Sequence, residues 1–230
     1  HPEEVAKAVV ATGAHAGVAL DGDADRVILC DEKGSIIDGD AMLAILATHM
    51  HNAGTLSSST VVATSMSNLG LERALQAKGI ALERTGVGDR YVVERMRAGG
   101  FNLGGEQSGH LLMLDHTTTG DGLLTALQIL RIVVETSKPL SELATCMQRV
   151  PQVLRSFAVG AKPDLAQIPR VQDAIRAGNE KLNGRGRIVV RYSGTEPKCR
   201  VMIEGDNDDA ITAIADDIQG VIVSAIGTGH

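Results

Sequence analysis

The sequence predicts an α/β architecture joined to a smaller α+β unit. Three observations point there. From about residue 36 to 150, short apolar or β-branched runs alternate with longer stretches of helical periodicity, the pattern of an α/β layer domain with a mixed sheet. Past Pro151 the order changes to strand, helix, two consecutive strands and a last helix, which is an α+β arrangement. The cores must also be aliphatic, because 43% of the chain is hydrophobic while it holds no Trp, two Tyr and two Phe.

The elements follow in order. Pro2-Glu3-Glu4 puts proline and acids in a first turn, and Val5, Ala8 and Val9 recur at helical spacing, so the segment opens in a helix. Strands are expected near 17–21 and 26–30, on either side of an acidic loop, with a turn from Asp31 to Gly34. Asp38-Gly39-Asp40 opens a helix reaching His51, with Leu43, Leu46, Ala47 and Met50 as its buried stripe. Thr60–Thr64 is β-branched and reads as a strand. Asn68–Lys78 reads as a helix stopped at Gly79, followed by a strand from Ile80 to Glu83. A helix from Arg90 to Ala98, a Gly-rich loop, a strand at Leu111–Leu114 and a helix from Gly120 to Ser137 complete this part. Then come a strand over 151–160, a helical stretch within 161–184, strands at Arg187–Tyr192 and Lys198–Glu204, and a helix from Asp206 to Ile226.

Composition excludes several functions. The net charge is −6 and no basic patch is interleaved with aromatics, so nucleic-acid binding is not expected. No apolar run approaches the ~20 residues of a membrane span, and no signal peptide is visible. Cys30, Cys146 and Cys199 are odd in number and widely spaced. That argues against a disulfide framework or zinc site and fits a reducing, cytoplasmic compartment.

Three motifs carry chemistry. In Asp21-Gly22-Asp23-Ala24-Asp25-Arg26, carboxylates stand at alternate positions and repel one another until a cation joins them; oxygen-only ligands favour a hard ion such as magnesium. Arg26 suits a phosphate brought to that ion. A metal-free acidic turn is the plain alternative. An EF-hand loop also counts correctly from Asp21 to Glu32, but its sixth position is Arg26 where that loop needs glycine. The second motif, Gly104 to His110, crowds Glu106, Gln107, Ser108 and His110 into a glycine-rich loop, a donor–acceptor mix that suits sugar hydroxyls. In the third, Arg191 to Arg200, a strand runs into Ser193-Gly194-Thr195 with basic residues on both sides, a phosphate cradle distinct from a Walker loop. Each of the last two is by itself compatible with an ordinary hairpin turn.

Taken together and in this order, the three motifs resemble the α-D-phosphohexomutase superfamily over nearly the whole chain. GEQSGH from Gly105, the segment Val87 to Val92 and Ser-Gly-Thr-Glu-Pro from Ser193 are most similar to the bacterial phosphoglucosamine mutase branch. The phosphomannomutase/phosphoglucomutase branch is the alternative. The resemblance implies that residues 1–36 end a metal-binding domain, 37–150 form a sugar-binding domain and 151–230 a phosphate-binding domain. It implies one magnesium ion on Asp21, Asp23 and Asp25, and support of the transferring phosphoryl group by Arg26. Sugar contacts would come from Glu106, Ser108 and His110, and the phosphate clamp from Arg191, Ser193, Gly194, Thr195 and Arg200. By the same resemblance Asp89 and Arg90 would lie in an active-site loop, and the general acid/base is left open among Asp89, Arg90 and His110. The implied reaction interconverts glucosamine 6-phosphate and glucosamine 1-phosphate through a phosphoserine and glucosamine 1,6-bisphosphate, on the route to UDP-N-acetylglucosamine. The partner is a small phosphosugar, with no nucleic acid or membrane, and a homodimer stays open for the full-length protein.

One departure matters. The superfamily's nucleophilic serine lies upstream of the metal loop, and the 20 residues before Asp21 contain no serine. The expectation is a fragment without mutase activity of its own that binds magnesium weakly. A non-catalytic sugar-phosphate-binding module is the reading from outside enzymology.

Overall fold

The computed structural model describes residues 2–228. The chain divides into two compact units, one ending at Arg149 and the other beginning at Val150. In the first, α1 (Pro2–Thr12) leads into an antiparallel sheet of β1 (Ala16–Leu20), β2 (Val27–Asp31) and β3 (Ile36–Ile37), ordered β1-β2-β3. The turn between β2 and β3 is closed by Asp31, whose carboxylate accepts the backbone N–H groups of Lys33 (2.9 Å) and Ser35 (2.8 Å). Val27, Leu29 and Ile37 pack into the same core as the helix that follows.

That helix, α2 (Gly39–Asn52), starts where expected: Asp38 caps it by accepting the Ala41 N–H at 3.1 Å. Its buried surface is wider than the predicted stripe. Met42 through Ala47 are all buried and Met50 only partly, because two later helices and a strand of the second sheet cover α2 on several sides.

The second sheet is mixed, as predicted. It comprises β4 (Thr60–Thr64), β5 (Ala81–Thr85), β6 (Leu103–Gly105) and β7 (Leu111–Met113) in the order β5-β4-β6-β7. β4 runs parallel to β5 and β6, and β7 runs antiparallel to β6. Connections are α3 (Leu69–Gln76), α4 (Asp89–Gly99), α5 (Gly122–Thr136) and the short α6 (Leu140–Leu143). β4 is buried on both faces: Val61 and Ala63 join the core of α2, α3 and α5, while Val62 meets Val92 and Met96 of α4.

β6 corrects the sequence reading, which took Gly104 and Gly105 as loop. Glycine is a poor strand former, but a β-carbon at Gly104 would stand 2.6 Å from Met96 Sδ and 2.8 Å from the Val62 carbonyl oxygen. Close packing between β4 and α4 requires glycine there. β3 and α6 were also unforeseen; at two and four residues they carry too little periodicity to read.

The chain leaves β4 to build β5 on one side and then crosses to β6 on the other. Strand order therefore reverses at β4, and the crevice outside the carboxyl ends of the parallel strands is where open α/β sheets bind ligands. The segments 65–68, 86–88 and 106–109 follow those ends.

The second unit holds β8 (Gln152–Ala158), α7 (Pro169–Leu182), β9 (Gly186–Tyr192), β10 (Lys198–Gly205) and α8 (Asp208–Ile226). Its sheet is antiparallel in the order β8-β10-β9. Val201 and Ile203 of β10 pack on Ile211, Ile214, Ile218 and Ile222 of α8 and on Val171 of α7. Pro169 begins α7, and Asn207 caps α8 by accepting the Ala210 N–H at 2.8 Å. Among the described residues, no helix is long and apolar enough to cross a membrane.

Candidate functional site

The acidic loop lies between β1 and β2, and its own backbone folds it. Asp21 donates its N–H to the Arg26 carbonyl (3.3 Å) and accepts the Ala24 N–H (3.3 Å) on its carbonyl. Ala24 takes a left-handed conformation at φ 60°. The result gathers one carboxylate oxygen each from Asp21, Asp23 and Asp25 within 4.8 Å of one another. Asp21 and Asp23 are exposed and Asp25 is half-buried. Arg26 stays exposed, its Nε 4.0 Å from Asp21 and 3.9 Å from Asp25.

The second motif meets the first. His110 Nδ1 is 3.0 Å from Asp25 Oδ2. The imidazole is buried, and its ring lies against Gly120. His110 therefore turns away from the exposed part of its loop and toward the acidic one. Asp25 Oδ1 is buried with no hydrogen-bond partner. A half-bonded, half-orphaned carboxylate beside two more carboxylates is a donor set that fits a hard divalent cation. Val27 donates its N–H to the Gly109 carbonyl at 3.1 Å, and Gly109 sits at φ +92° with its α-carbon against the Val27 carbonyl. A side chain there would overlap that carbonyl, so glycine is what lets the two loops touch.

The rest of the turn faces other elements. Gly39, at the start of α2, donates its N–H to the Gln107 carbonyl at 3.1 Å. Glu106 accepts the Gly88 N–H on Oε1 (3.1 Å) and the Ser108 hydroxyl on Oε2 (3.3 Å). Glu106 is half-buried and Ser108 exposed. The Gly88 contact joins the β5–α4 loop to the β6–β7 turn across the carboxyl edge of the sheet. Asp89 and Arg90 begin α4 in that same loop, but the Asp89 carboxylate accepts the Arg90 backbone N–H (2.7 Å) and the exposed Arg90 guanidinium pairs with Glu94 (2.7 Å).

Two residues outside the motifs brace the β4–α3 segment. Arg84 of β5 donates to the carbonyls of Thr64 (3.3 Å) and Ser67 (2.8 Å) and pairs with Glu72 (3.0 Å). Asp40, fully buried in the first turn of α2, accepts the Asn68 N–H at 2.7 Å. Burial pushes the Asp40 carboxyl up to about 7; Asp38 adds to the rise, and the hydrogen bonds from Asn68 and Ser67 and the charge of Arg149 oppose it.

The third motif belongs to the second unit. Ser193 donates its N–H to the Lys198 carbonyl (2.8 Å), and Lys198 donates to the Glu196 carbonyl (2.8 Å). Gly194 and Thr195 are left at the exposed tip. Arg191 on β9 stands directly opposite Arg200 on β10. Burial, and second to it the charge of Arg200, hold the Arg191 guanidinium below its usual pKa. Glu196 pairs with Lys198 and with Arg200 (3.2 Å). Sequence reasoning missed Lys162, whose Nζ donates to the Ser193 carbonyl at 2.6 Å. It also missed the bond between His110 and Asp25, as neither contact leaves a local pattern in the chain.

Residues 38–150 match the family model described as phosphoglucomutase/phosphomannomutase, alpha/beta/alpha domain III, and residues 154–221 match the one for the C-terminal domain. The phosphoglucosamine mutase of Caulobacter vibrioides is 54% identical over 98% of this chain and 50% of its own length. That of Magnetococcus marinus is 56% identical over 94% of this chain and 44% of its own. The chain thus spans about half the length of the curated relatives it matches. A phosphoglucomutase/phosphomannomutase family protein from Burkholderia thailandensis superposes with a TM-score of 0.77 at 24% identity, covering 98% of this chain and 50% of that one. The N-acetylphosphoglucosamine mutase of Aspergillus fumigatus, solved with GlcNAc-6P and magnesium, gives 0.74 at 20% identity, covering 89% and 51%. At these identities the two structures speak for the fold.

Proposed function

Because the chain belongs to the phosphoglucomutase/phosphomannomutase family, we propose that it serves phosphoryl transfer on an amino-sugar phosphate. The reaction interconverts glucosamine 6-phosphate and glucosamine 1-phosphate through a phosphoserine and glucosamine 1,6-bisphosphate. Residues 1–36 end the metal-binding domain, 37–150 form the sugar-binding domain and 151–230 the phosphate-binding domain.

One magnesium ion is assigned to Asp21, Asp23 and Asp25. When bound, it neutralises charge on the phosphoryl group being transferred. Arg26, exposed beside two of the carboxylates, supports that group's oxygens. Glu106 and Ser108 hold sugar hydroxyls, with Glu106 steadied by the Gly88 N–H. His110 contributes by fixing Asp25, since a ligating carboxylate held by a second hydrogen bond keeps its orientation. Arg191, Ser193, Gly194, Thr195 and Arg200 clamp the phosphate that is not being transferred. A dianion there relieves the repulsion between the facing arginines. Arg90 is paired with Glu94, so proton transfer is not assigned to it.

The observation that carries this reading is Asp25: one oxygen bonded to His110 of the β6–β7 turn, the other buried without a hydrogen bond, 3.9 Å from Arg26 Nε and beside two more carboxylates. The test is a calorimetric titration of the chain, in magnesium, with glucosamine 6-phosphate, glucose 6-phosphate and mannose 6-phosphate. Glucosamine 6-phosphate should bind tightest. If it binds weakest of the three, the amino-sugar assignment is wrong.

A further inference from the structure

Resting on the phosphate reading of the Ser193 loop, we propose that Lys162 is a further phosphate-binding cation of that loop, serving a phosphomonoester or inorganic phosphate dianion. The motif that marks the loop lies 31 residues away, but the segment 159–163 runs alongside it and is laced to it at three points. Val159 donates its N–H to the Pro197 carbonyl at 3.0 Å. Lys162 Nζ donates to the Ser193 carbonyl at 2.6 Å. The Tyr192 hydroxyl donates to the Pro163 carbonyl at 2.8 Å. The strap therefore meets both ends of the loop, and it sets the ammonium at the residue that starts the exposed tip.

The charges there are unbalanced. Arg191, Lys198 and Arg200 are cations of one hairpin, and Lys162 adds a fourth bonded to its Ser193 carbonyl. The nearby carboxylates are engaged: Glu196 pairs with Lys198 and Arg200, while Asp164 caps the turn after the strap by accepting the Ala166 N–H at 3.0 Å. Among the described residues Lys162 makes no ion pair; its partner is a neutral carbonyl. An ammonium carries three N–H donors and that carbonyl uses one, so two are free for a ligand oxygen. A side chain ordered against a carbonyl at the mouth of a cationic loop is already held for an anion, which lowers the ordering cost of binding.

The test uses the whole chain and inorganic phosphate, measured by calorimetry, with K162Q, K162R and R200M. Gln keeps an N–H donor for the Ser193 carbonyl and removes the charge; Arg keeps the charge. K162Q should weaken phosphate binding about five- to tenfold at an unchanged melting temperature, K162R should stay within about twofold, and R200M should lose more than K162Q. If K162Q binds phosphate as the parent does while R200M fails to, the role of Lys162 is overturned and the phosphate loop stands. If K162R falls as far as K162Q, charge is not what matters and the proposal is likewise overturned. If R200M also binds as the parent does, the phosphate reading itself fails, and Lys162 with it.

Discussion

The acidic loop of the first unit and the basic hairpin of the second both hold like charges at close quarters, but they bear the repulsion differently. Asp21, Asp23 and Asp25 are gathered by the turn of their own loop, but that loop is held by segments far along the chain: His110 reaches Asp25 and the Gly109 carbonyl accepts the Val27 N–H. Arg191 and Arg200 are gathered by register, since neighbouring strands of one hairpin bring them face to face. Within the hairpin, Glu196 partly neutralises the cations. In the acidic loop, the Arg26 backbone N–H reaches the Asp21 carboxylate at 3.2 Å, but its guanidinium Nε stands 3.9 Å from Asp25 and 4.0 Å from Asp21, and Asp25 Oδ1 keeps no hydrogen bond. The first site depends on tertiary packing and the second on local pairing, so they should fail differently under the same substitutions.

The largest difference is expected from alanine in the two loops. G109A places a side chain at φ +92° and against the Val27 carbonyl, where no rotamer gives relief. It should destabilise the first unit by roughly 4 kcal/mol. At Gly194 nothing lies within 4 Å of an added β-carbon, so G194A should cost well under ~1 kcal/mol. Urea unfolding of both variants checks the pair; similar midpoints would mean the loops are equally local.

A second difference concerns pH. Asp40 lies in the first unit with its folded pKa raised from 3.8 to about 7. The folded state therefore holds a proton that the unfolded chain releases. Stability should fall as pH rises between those two values and level off above the upper one, by an amount on the order of a few kcal/mol. D40N should flatten that slope and be more stable than the parent at pH 8. A parent whose stability climbs over this interval, with D40N unchanged from it, would show Asp40 ionised in the fold.

Metal affinity offers a smaller effect. H110A leaves the three carboxylates in place but frees Asp25, and should weaken magnesium binding about tenfold, whereas D25N should lose it almost wholly. Calorimetry on both, with phosphate binding as the internal control, separates a local change from a misfolded chain. Smallest of all, E94Q breaks an exposed pair with Arg90 and should shift stability by no more than ~0.5 kcal/mol with no change in either ligand.

Those contrasts also explain what the sequence made legible. The mixed sheet, the β9–β10 hairpin and the capped helices follow from periodicity and from Asp38, Asn68 and Asn207 at helix starts, which are local signals. The acidic loop was legible because its carboxylates sit at alternate positions. The partner of Asp25 was not, because it lies 85 residues on and is chosen by the way β2 abuts the β6–β7 turn. β6 was hidden by glycines whose reason is the closeness of Met96 and Val62. α2 read as amphipathic because sequence shows a stripe but not how many neighbours will cover the rest of the helix. Lys162 gave no signal, because one lysine before a proline resembles any surface strap.

The most direct measurement is a magnesium titration of the isotope-labelled chain followed by amide NMR. The account predicts that shifts at Asp21–Arg26 are accompanied by shifts at Glu106–His110, because Asp25 and His110 join the two segments, and that D25N abolishes both. Magnesium that moves the acidic loop and leaves Glu106–His110 untouched, or that moves neither segment, would contradict it.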